Sequence, residues 1–376
     1  MKNFLLKLTK KLVRIKSITP NDKGCQNIIS KILIKLNFNV EFFNYKNTKN
    51  LWAYKGSGKK TLLFLGHTDV VDANNLNLWK YPPFSATIKN SKIYGRGVLD
   101  MKGAISSMII AINRFIKSGK KYRGRIALLL TSDEEGNGKN GIKKVLKKLK
   151  KRNEKIDYCI VGEPTSKKKI CDTIKNGRRG SLTFKIHTYF KSLHVAYCNK
   201  NPILLIIKVI NEILSFNWNK KKSLILPYNS VQLTKIYSLS NSLNSTPNNI
   251  NFYINFRFND TLKITYIKNE IKNIIEYHKI KFKIKFFIYG KPFYTKKNCN
   301  LIKKISKVIE KNLKFKPKIS TEGGTSDGRY ISEICDQVIE LGLLNNKIHC
   351  ENEFAKISDL EKLTNIYEKI LYEVIT

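Results

Sequence analysis

The chain has 376 residues, of which 42% are hydrophobic and 11% aromatic, and its 71 basic and 28 acidic residues give a net charge of +43. This composition excludes an intrinsically disordered protein, and the length allows two domains with separate cores. Such a charge suggests a nucleic-acid or membrane partner. The lysines, however, are spread from end to end of a chain rich in Ile and Asn. We therefore expect no nucleic-acid or membrane partner.

The cysteines and the N-terminal segment indicate in which cellular compartment the protein is located. The seven cysteines form no CxxC pair and are odd in number, which favours a reducing cytosol over a disulfide framework. No apolar run approaches the length of a membrane span. Residues 1–20 are basic and acid-free, as in a transit peptide, but the spacing of Leu5, Leu8 and Leu12 predicts a first amphipathic helix ended near Pro20. The sequence thus predicts a cytoplasmic protein.

Strand and helix patterns alternate through residue 161. The predicted helices cover residues 26–36, 103–118 and 139–155. The predicted strands cover residues 39–45, 52–54, 61–66, 125–131 and 157–161. In the third helix Ile142, Val145, Leu146 and Leu149 recur at helical spacing opposite a basic face. The alternation predicts an α/β domain with a mostly parallel sheet.

The pattern changes after residue 179. Alternating strands are predicted at residues 181–189, 230–238, 251–258 and 281–289, with helices at residues 202–214 and 262–278. Four strands and two helices form a compact α+β unit. A helix at residues 300–313, a strand at 337–341 and a helix at 360–375 then resume the first pattern. We predict one domain from residues 1–179 and 292–376, with residues 180–291 inserted into it.

Three predicted strands of the first domain end in a histidine or an acidic residue. His67 ends one strand, Glu135 follows the next, and Glu163 follows the third. The carboxyl ends of strands in an open α/β sheet form the usual ligand site. Each residue alone would suit a surface loop, but packing does not explain the coincidence of all three. We therefore predict a functional site at this edge of the sheet.

Further candidates lie in turns. Asp69 shares a face of an extended segment with His67, which suits an imidazole oriented by a carboxylate. Asp100 lies in a glycine-bracketed turn, where two cations could share it. His349 follows the strand at residues 337–341 and, taken alone, resembles a surface histidine.

Two imidazoles and three carboxylates are the ligand inventory of a two-metal hydrolase, and the chain offers His67, Asp100, Glu135, Glu163 and His349. Zn²⁺ accepts nitrogen and oxygen ligands, and a bridging carboxylate holds two ions about 3.5–4 Å apart. One of the adjacent Glu134 and Glu135 can bind metal while the other acts as a general base. The alternative is that one of them is a solvated loop acid.

Several motifs together resemble the family of dinuclear zinc peptidases and deacylases that includes aminoacylases, acetylornithine deacetylase and glutamate carboxypeptidases. They are GHTDVV at residues 66–71, GRG at 95–97, DMKG at 100–103, DEEG at 133–136 and GEPT at 162–165, with the late His349. The resemblance covers nearly the whole chain. IKNGRRGSL at 174–182, HVAY at 194–197 and GGTSDGR at 323–329 are similar to one bacterial subgroup.

The resemblance implies two Zn²⁺ per subunit, which Co²⁺ can replace, and a role for each ligand. It places one zinc on His67 and Glu163, the other on His349 and Glu135, and Asp100 between them. It also implies that Asp69 steers His67 and that Glu134 is the base.

The resemblance further implies a homodimer formed through the inserted domain. His194 would reach into the site of the partner subunit and stabilise an oxyanion, and Asn244 would assist from the same side. The implied substrate is a small amino-acid derivative with carboxylates, for which we predict binding by Arg178, Arg257, Gly324 and Thr325. A guanidinium can clamp a carboxylate, although either arginine could equally be an ordinary ion-pair partner, and a glycine turn offers N–H groups to an anion.

The chain departs from the family pattern at Leu193, Cys198 and Glu322, none of which is a predicted ligand. The loop at Asn244 is about one residue short, which makes that role less secure than that of His194. The implied activity is hydrolysis of an acyl amide. Acetylornithine deacetylase or dipeptidase activity is the alternative with the same chemistry, and a nucleic-acid-binding protein on a hydrolase scaffold is a distant third.

Overall fold

The computed structural model describes residues 2–58, 60–240 and 242–376, without the side chain of Lys2. These residues form two compact units. Unit 1 comprises Met1–Gly177, Tyr294–Ser320 and Ser326–Thr376, and unit 2 comprises Arg178–Phe293 and Thr321–Thr325. Unit 2 extends two residues beyond each end of the predicted insertion and includes a short segment of the later loop. None of the helices in the described residues has the length and apolar character needed to cross a membrane.

The helices of the described chain are α1 (Lys2–Val13), α2 (Cys25–Ile34), α3 (Gly103–Lys117), α4 (Ile142–Lys151), α5 (Pro202–Ser215), α6 (Ile264–Tyr277), α7 (Asn300–Leu313), α8 (Gly328–Ile331) and α9 (Ile357–Ile375). The strands are β1 (Asn39–Phe42), β2 (Asn50–Lys55), β3 (Thr61–His67), β4 (Thr87–Lys89), β5 (Lys92–Tyr94), β6 (Arg125–Thr131), β7 (Tyr158–Val161), β8 (Thr173–Lys175), β9 (Gly177–Arg178), β10 (Gly180–Tyr189), β11 (Ser230–Tyr237), β12 (Asn249–Phe258), β13 (Lys281–Gly290), β14 (Phe293–Tyr294), β15 (Lys318–Ser320), β16 (Gln337–Glu340) and β17 (Phe354–Lys356).

The main sheet of unit 1 has eight strands in the order β1-β2-β6-β3-β7-β16-β8-β15. Its centre is parallel, because β3 runs parallel to both β6 and β7, and β16 continues parallel to β7. β8 and β15 are also parallel, whereas β1, β2 and β6 pair antiparallel and β16 meets β8 antiparallel. The sheet is therefore mixed and mostly parallel, which confirms the predicted fold class.

The central strands are hydrophobic along their whole length because helices and loops cover both faces. All seven residues of β3 are buried, as are all four of β7. The main core joins them to α1, α2, α3, α7 and α9. The predicted lysine-rich helix is confirmed in α4, which buries Ile142, Val145, Leu146 and Leu149. Its lysines lie on the other side of the helix.

Unit 2 is an antiparallel sheet in the order β11-β12-β10-β13, with the helices α5 and α6. Burial alternates along β10, where Leu182, Phe184 and Ile186 face the core. Helices α5 and α6 complete this core with Ile206, Val209, Ile271 and Ile275. The strands β11 and β13 are the edges of the sheet. Four strands and two helices match the α+β content predicted for the insertion.

Candidate metal centre

The three adjacent strands β6, β3 and β7 bring the first candidate residues together. His67 is the last residue of β3, Glu134 and Glu135 follow β6, and Glu163 follows β7. Parallel neighbours end at the same edge of a sheet, so these side chains meet there. His67 lies opposite Thr131 of β6 in the register. The structure therefore places the strand-end residues on one side of unit 1, as the sequence predicts.

Asp100 occupies a distorted turn, Val98–Lys102, before α3. Its backbone angles, φ −124° and ψ 91°, interrupt the helical path, and the peptide bond to Met101 is cis. The carboxylate lies between two imidazoles. Asp100 Oδ1 is 3.2 Å from His67 Nε2, and Asp100 Oδ2 is 3.3 Å from His349 Nε2. Each oxygen of one carboxylate thus faces a different histidine, which is the arrangement of a bridging ligand.

Each of the two histidines also has a further carboxylate beside it. Glu163 Oε1 is 3.8 Å from His67 Nε2, and Glu135 Oε1 is 2.9 Å from His349 Nε2. The His67 side chain is 2% exposed, whereas that of His349 is 47% exposed. The structure therefore brings the five predicted ligands together, and the His67 side chain is more deeply buried than that of His349.

Asp69 orients His67 differently from the expected carboxylate contact. His67 Nδ1 lies 2.9 Å from the backbone carbonyl oxygen of Asp69 and 3.7 Å from its carboxylate. Because a carbonyl can only accept, Nδ1 carries a proton, so in the neutral ring that binds a metal ion the free lone pair is on Nε2, which faces the site. The Asp69 carboxylate instead accepts hydrogen bonds from the backbone N–H groups of Glu134 and Glu135.

The site has strongly perturbed pKa values. Burial would raise the pKa of Asp100, but hydrogen bonds from His349 and His67 hold it well below its usual range. The hydrogen bonds to Asp100 and Glu135 raise the pKa of His349 to about 10. Burial and the neighbouring Asp100 charge raise the pKa of Glu163 well above its usual range. Carboxylates crowded in this way repel one another unless cations lie between them.

Glu134 lies beside this set. Burial and the charge of Asp327 raise its pKa to about 8, against the opposing charges of His67 and Arg329. The Arg329 guanidinium is 3.9 Å from Glu134 Oε1. Cations bound at the neighbouring ligands would oppose the rise. Burial by itself makes this carboxylate more basic than one in water, which is the direction that a proton acceptor at neutral pH needs.

The residues fit a metal ion. Glu163 Oε1 is buried and has no hydrogen-bond partner in the described residues, which is costly unless a cation occupies the space beside it. Two overlapping groups have ligand atoms within 4.8 Å of one another: His67 with Asp100 and Glu135, and His67 with Glu134 and Glu163. The donors are nitrogen and oxygen atoms, which suit Zn²⁺. Unit 1 therefore contains a candidate metal site.

Two of the other predicted residues lie together in unit 2. His194 is exposed, and its Nδ1 accepts a hydrogen bond from the N–H of Ala196 at 3.2 Å. The adjacent Val195 N–H donates to the carbonyl of Asn244 at 3.0 Å, and His194 forms an isolated bridge with Ser245. The structure thus places His194 and Asn244 side by side.

The remaining predicted substrate-binding residues also belong to unit 2. Arg178 donates to the carbonyl of Glu322 at 2.5 Å, so it lies against the turn that contains Gly324 and Thr325. Gly324 is exposed. Arg257 lies on β12, where its Nε donates to Asn255 Oδ1 at 3.0 Å. The structure brings Arg178 and the turn together and places Arg257 on the sheet.

Sequence reasoning missed four buried charged residues of unit 1: Arg96, Asp327, Arg329 and Glu353. Arg96, Asp327 and Arg329 lie within the motifs that carry the resemblance, and those motifs are the signal that points to them. Glu353 lies outside these motifs, and the signal that points to it is an acidic residue four positions after His349 in so basic a chain.

The comparisons with known proteins agree with this geometry. Residues 63–373 match the model of peptidase family M20/M25/M40. The succinyl-diaminopimelate desuccinylase of Wigglesworthia glossinidia brevipalpis is 47% identical over 99% of both chains, and further relatives of that name are 43–44% identical. This is the bacterial subgroup whose motifs the sequence carries, so the predicted resemblance is confirmed.

Solved structures share the fold. An M20 metallo-carboxypeptidase from Sulfolobus solfataricus has a TM-score of 0.85 at 20% identity and covers 98% of this chain and 99% of its own. A dinuclear metal-binding peptidase of the same family from Bacillus subtilis has a TM-score of 0.71 at 13% identity, with coverages of 98% and 97%. From the matched family model and the full-length relatives, we conclude that the chain belongs to peptidase family M20/M25/M40.

Proposed function

We propose that the protein is a dizinc amide hydrolase that cleaves N-succinyl-LL-2,6-diaminopimelate to succinate and LL-2,6-diaminopimelate, in the synthesis of diaminopimelate and lysine. The observation that carries the chemistry is the placement of Asp100 between His67 and His349, with a further carboxylate beside each imidazole. The choice of substrate rests on the full-length relatives named succinyl-diaminopimelate desuccinylase. The seven unpaired cysteines agree with a cytoplasmic location.

In this proposal His67 and Glu163 would hold one zinc ion, His349 and Glu135 would hold the other, and Asp100 would be the ligand that both ions share. Co²⁺ can replace zinc because it accepts the same ligands. When bound, the ions supply Lewis acidity, which acidifies a water molecule and polarises the amide carbonyl. The carbonyl of Asp69 keeps the His67 ring in the tautomer that presents Nε2.

Glu134 serves as the general base. It takes a proton from the attacking water and passes it to the amine nitrogen as the C–N bond breaks, so that the products are a carboxylic acid and an amine. Its burial and the adjacent Asp327 favour proton acceptance. The distances alone also allow Glu134 to be a ligand. A test of a Glu134 variant therefore has to measure turnover and metal content separately.

Unit 2 provides the dimer contact and the groups that bind the substrate. The edge strand β13 exposes Phe286, Phe287 and Ile288, and exposed apolar edge strands pair readily with a second copy. His194, with Asn244 beside it, would donate to the oxyanion in the site of the partner subunit. Arg178, Arg257, Gly324 and Thr325 would bind substrate carboxylates. A monomer in sedimentation analysis at micromolar concentration would contradict the dimer.

The test is a comparison of substrates by the enzyme loaded with Zn²⁺ or Co²⁺. We expect kcat/KM for N-succinyl-LL-2,6-diaminopimelate to exceed that for N-acetylornithine and for dipeptides by at least about 100-fold, since a site built for a charged group strongly rejects a substrate without it. Comparable turnover of N-acetylornithine would contradict the proposed substrate. Absence of amidase activity together with tight, salt-sensitive binding of DNA would contradict the proposed reaction.

A further inference from the structure

Arg96 and Glu353 form a buried ion pair beside the candidate metal site. Both side chains are 1% exposed, and Arg96 Nη1 lies 3.0 Å from Glu353 Oε2. The two residues are 257 positions apart in the chain. Arg96 lies in the turn that leads to Asp100, and Glu353 lies just after the loop that carries His349. The pair therefore joins the two segments that supply one bridging carboxylate and one imidazole.

Glu353 holds the turn before Asp100 through the backbone. Its Oε2 accepts a hydrogen bond from the N–H of Gly97 at 2.9 Å, and its Oε1 accepts one from the N–H of Leu99 at 2.8 Å. With Arg96, one carboxylate thus has three donors from four consecutive residues. Charge-assisted hydrogen bonds of this kind are short and directional. They fix the backbone immediately before Asp100.

Arg96 holds the other segment in the same manner. Its Nη1 donates to the carbonyl of Cys350 at 3.1 Å, and its Nη2 donates to the carbonyl of His349 at 3.3 Å. The backbone of His349 has φ 60°, a conformation that a non-glycine residue adopts only when its surroundings hold it there. The guanidinium also packs over the ring of Trp79, 5.2 Å from its centroid. Arg96 thus fixes the backbone that presents the His349 imidazole.

We propose that Arg96 and Glu353 are positioning residues that set the distance between Asp100 and His349, and thereby the affinity of the second metal ion, the one assigned to His349 and Glu135. This inference rests on the proposed function. Within the described chain, no hydrogen bond or ion pair of Arg96 or Glu353 reaches His67, Glu135 or Glu163. The pair holds the backbone beside Asp100, which both ions would share, and that of His349, which only the second ion would use. The second ion should therefore depend on the pair more than the first ion does.

The test uses metal-free full-length protein titrated with Zn²⁺, comparing the parent with Glu353→Gln. Gln keeps the size of the side chain but loses its charge and one of its two acceptor oxygens. We expect the first ion to bind within about threefold of the parent, and the second to bind about 10- to 100-fold more weakly, as when other groups that orient metal ligands are removed. Arg96→Lys keeps the charge but loses the planar fork, so we expect a smaller loss at the same ion.

Glu154→Gln is the matched control. Arg125 and Glu154 form an ion pair of 2.7 Å with side chains 16% and 15% exposed, at the opposite end of β6 from Glu135. This variant loses an ion pair of unit 1 without touching either metal-ligand loop. We expect it to bind both ions with the affinities of the parent.

Amide hydrogen exchange of Gly97 and Leu99 in the metal-free protein provides a second readout. We expect slow exchange in the parent and in Glu154→Gln, and at least about tenfold faster exchange in Glu353→Gln, because the acceptors of these two N–H groups are altered. If Glu353→Gln does not fold, the Zn²⁺ titration of Arg96→Lys provides the test.

Two results would overturn the inference: a second ion bound as tightly by Glu353→Gln and Arg96→Lys as by the parent, or an equal loss of both ions in folded protein. A parent that binds no metal would instead contradict the proposed function. Unchanged exchange at Gly97 and Leu99 would then reject the positioning role as well.

Discussion

The carboxylate of Asp69 accepts a hydrogen bond from the backbone N–H of Glu135 at 3.1 Å. It also lies 3.4 Å from the backbone nitrogen of Glu134. One buried side chain at the end of β3 therefore fixes the turn after β6, which carries both the proposed base and a proposed ligand. Its own backbone carbonyl contacts His67 Nδ1. Asp69 thus links three of the residues to which we assign chemistry.

Replacing Asp69 with Asn should loosen this turn. The amide has one acceptor oxygen for two N–H donors, and its own N–H₂ would face them. We expect kcat and the affinity for metal each to fall by about 10- to 100-fold, the usual effect of losing a group that orients metal ligands. Asp72→Asn is the control, since Asp72 is exposed and accepts a hydrogen bond from the N–H of Asn74, outside the residues to which we assign chemistry. Equal activity of the two variants would exclude this role.

The Glu134→Gln variant should show whether Glu134 is a general base or a metal ligand. We expect kcat to fall by about 10²- to 10⁴-fold because no group takes the proton from water, while the protein still binds two ions. Glu135→Gln should instead weaken the ion at His349, because Glu135 Oε1 lies 2.9 Å from that imidazole. Steady-state kinetics and metal analysis measure both effects. Loss of an ion from Glu134→Gln would show that Glu134 is a ligand.

Metal binding should release protons. In the metal-free protein the pKa of His349 is about 10, owing to its hydrogen bonds to Asp100 and Glu135, and Asp100 also raises the pKa of His67 against the effect of burial. Both imidazoles are therefore charged near neutral pH, whereas a metal ion binds the neutral ring. We expect at least two protons released per subunit, one from each imidazole, with further protons from Glu163 and Glu134, whose pKa values burial raises. We also expect an affinity that rises with pH between about 6.5 and 9.

Calorimetry in buffers of different ionisation enthalpy measures this release. His349→Ala should release about one proton fewer. The stability of the metal-free protein changes with pH in the opposite direction to its affinity for metal. Because the folded pKa of His349 is raised, its stabilisation of the metal-free protein is complete below pH 6.5 and is lost as the pH rises towards 10. Binding without proton release would contradict the arrangement of charges described above.

The turn before Asp100 requires glycine at position 97. Gly97 has φ 82°, and a Cβ there would lie 2.3 Å from Cγ1 of the buried Val70. We expect Gly97→Ala to lower the free energy of unfolding by about 2–4 kcal/mol through backbone strain and overpacking. Gly119→Ala is the matched control, because Gly119 has φ 69° but no atom within 4 Å of an added Cβ. We expect the free energy of unfolding of Gly119→Ala, measured by denaturant unfolding, to be lower than that of the parent by only about 1–2 kcal/mol.

Long apolar or periodic segments made most elements predictable. The predicted residues 125–131 and 300–313 coincide with β6 and α7. The strands that were missed are short. Five of them, β4, β5, β8, β15 and β17, have three residues each and contain a lysine, and two, β9 and β14, have only two residues each. Such short segments show no period, and their pairing depends on distant neighbours, as when β17 pairs with β5. Local sequence cannot predict that pairing.

The residues of the candidate site could be predicted where a histidine or an acidic side chain lies at the end of a predicted strand. His67 ends one buried strand, and Glu135 and Glu163 follow its two neighbours in the sheet, so the rule that ligands bind at the carboxyl ends of strands located all three. The direction of the Asp69 side chain depends on the backbone of its turn, and the sequence suggested a carboxylate contact to His67 where the structure has a carbonyl contact. The pairing of Arg96 with Glu353 leaves no local pattern, because the partners are 257 residues apart.

Metal content of the purified protein, with and without Asp100→Asn, tests the central claim most directly. Asp100 has one oxygen near each histidine, so a bridging role requires both carboxylate oxygens. We predict two zinc ions per subunit in the parent after metal loading and dialysis, and at most one in Asp100→Asn with the fold intact. Two ions retained by the variant, or none bound by the parent, would contradict the account.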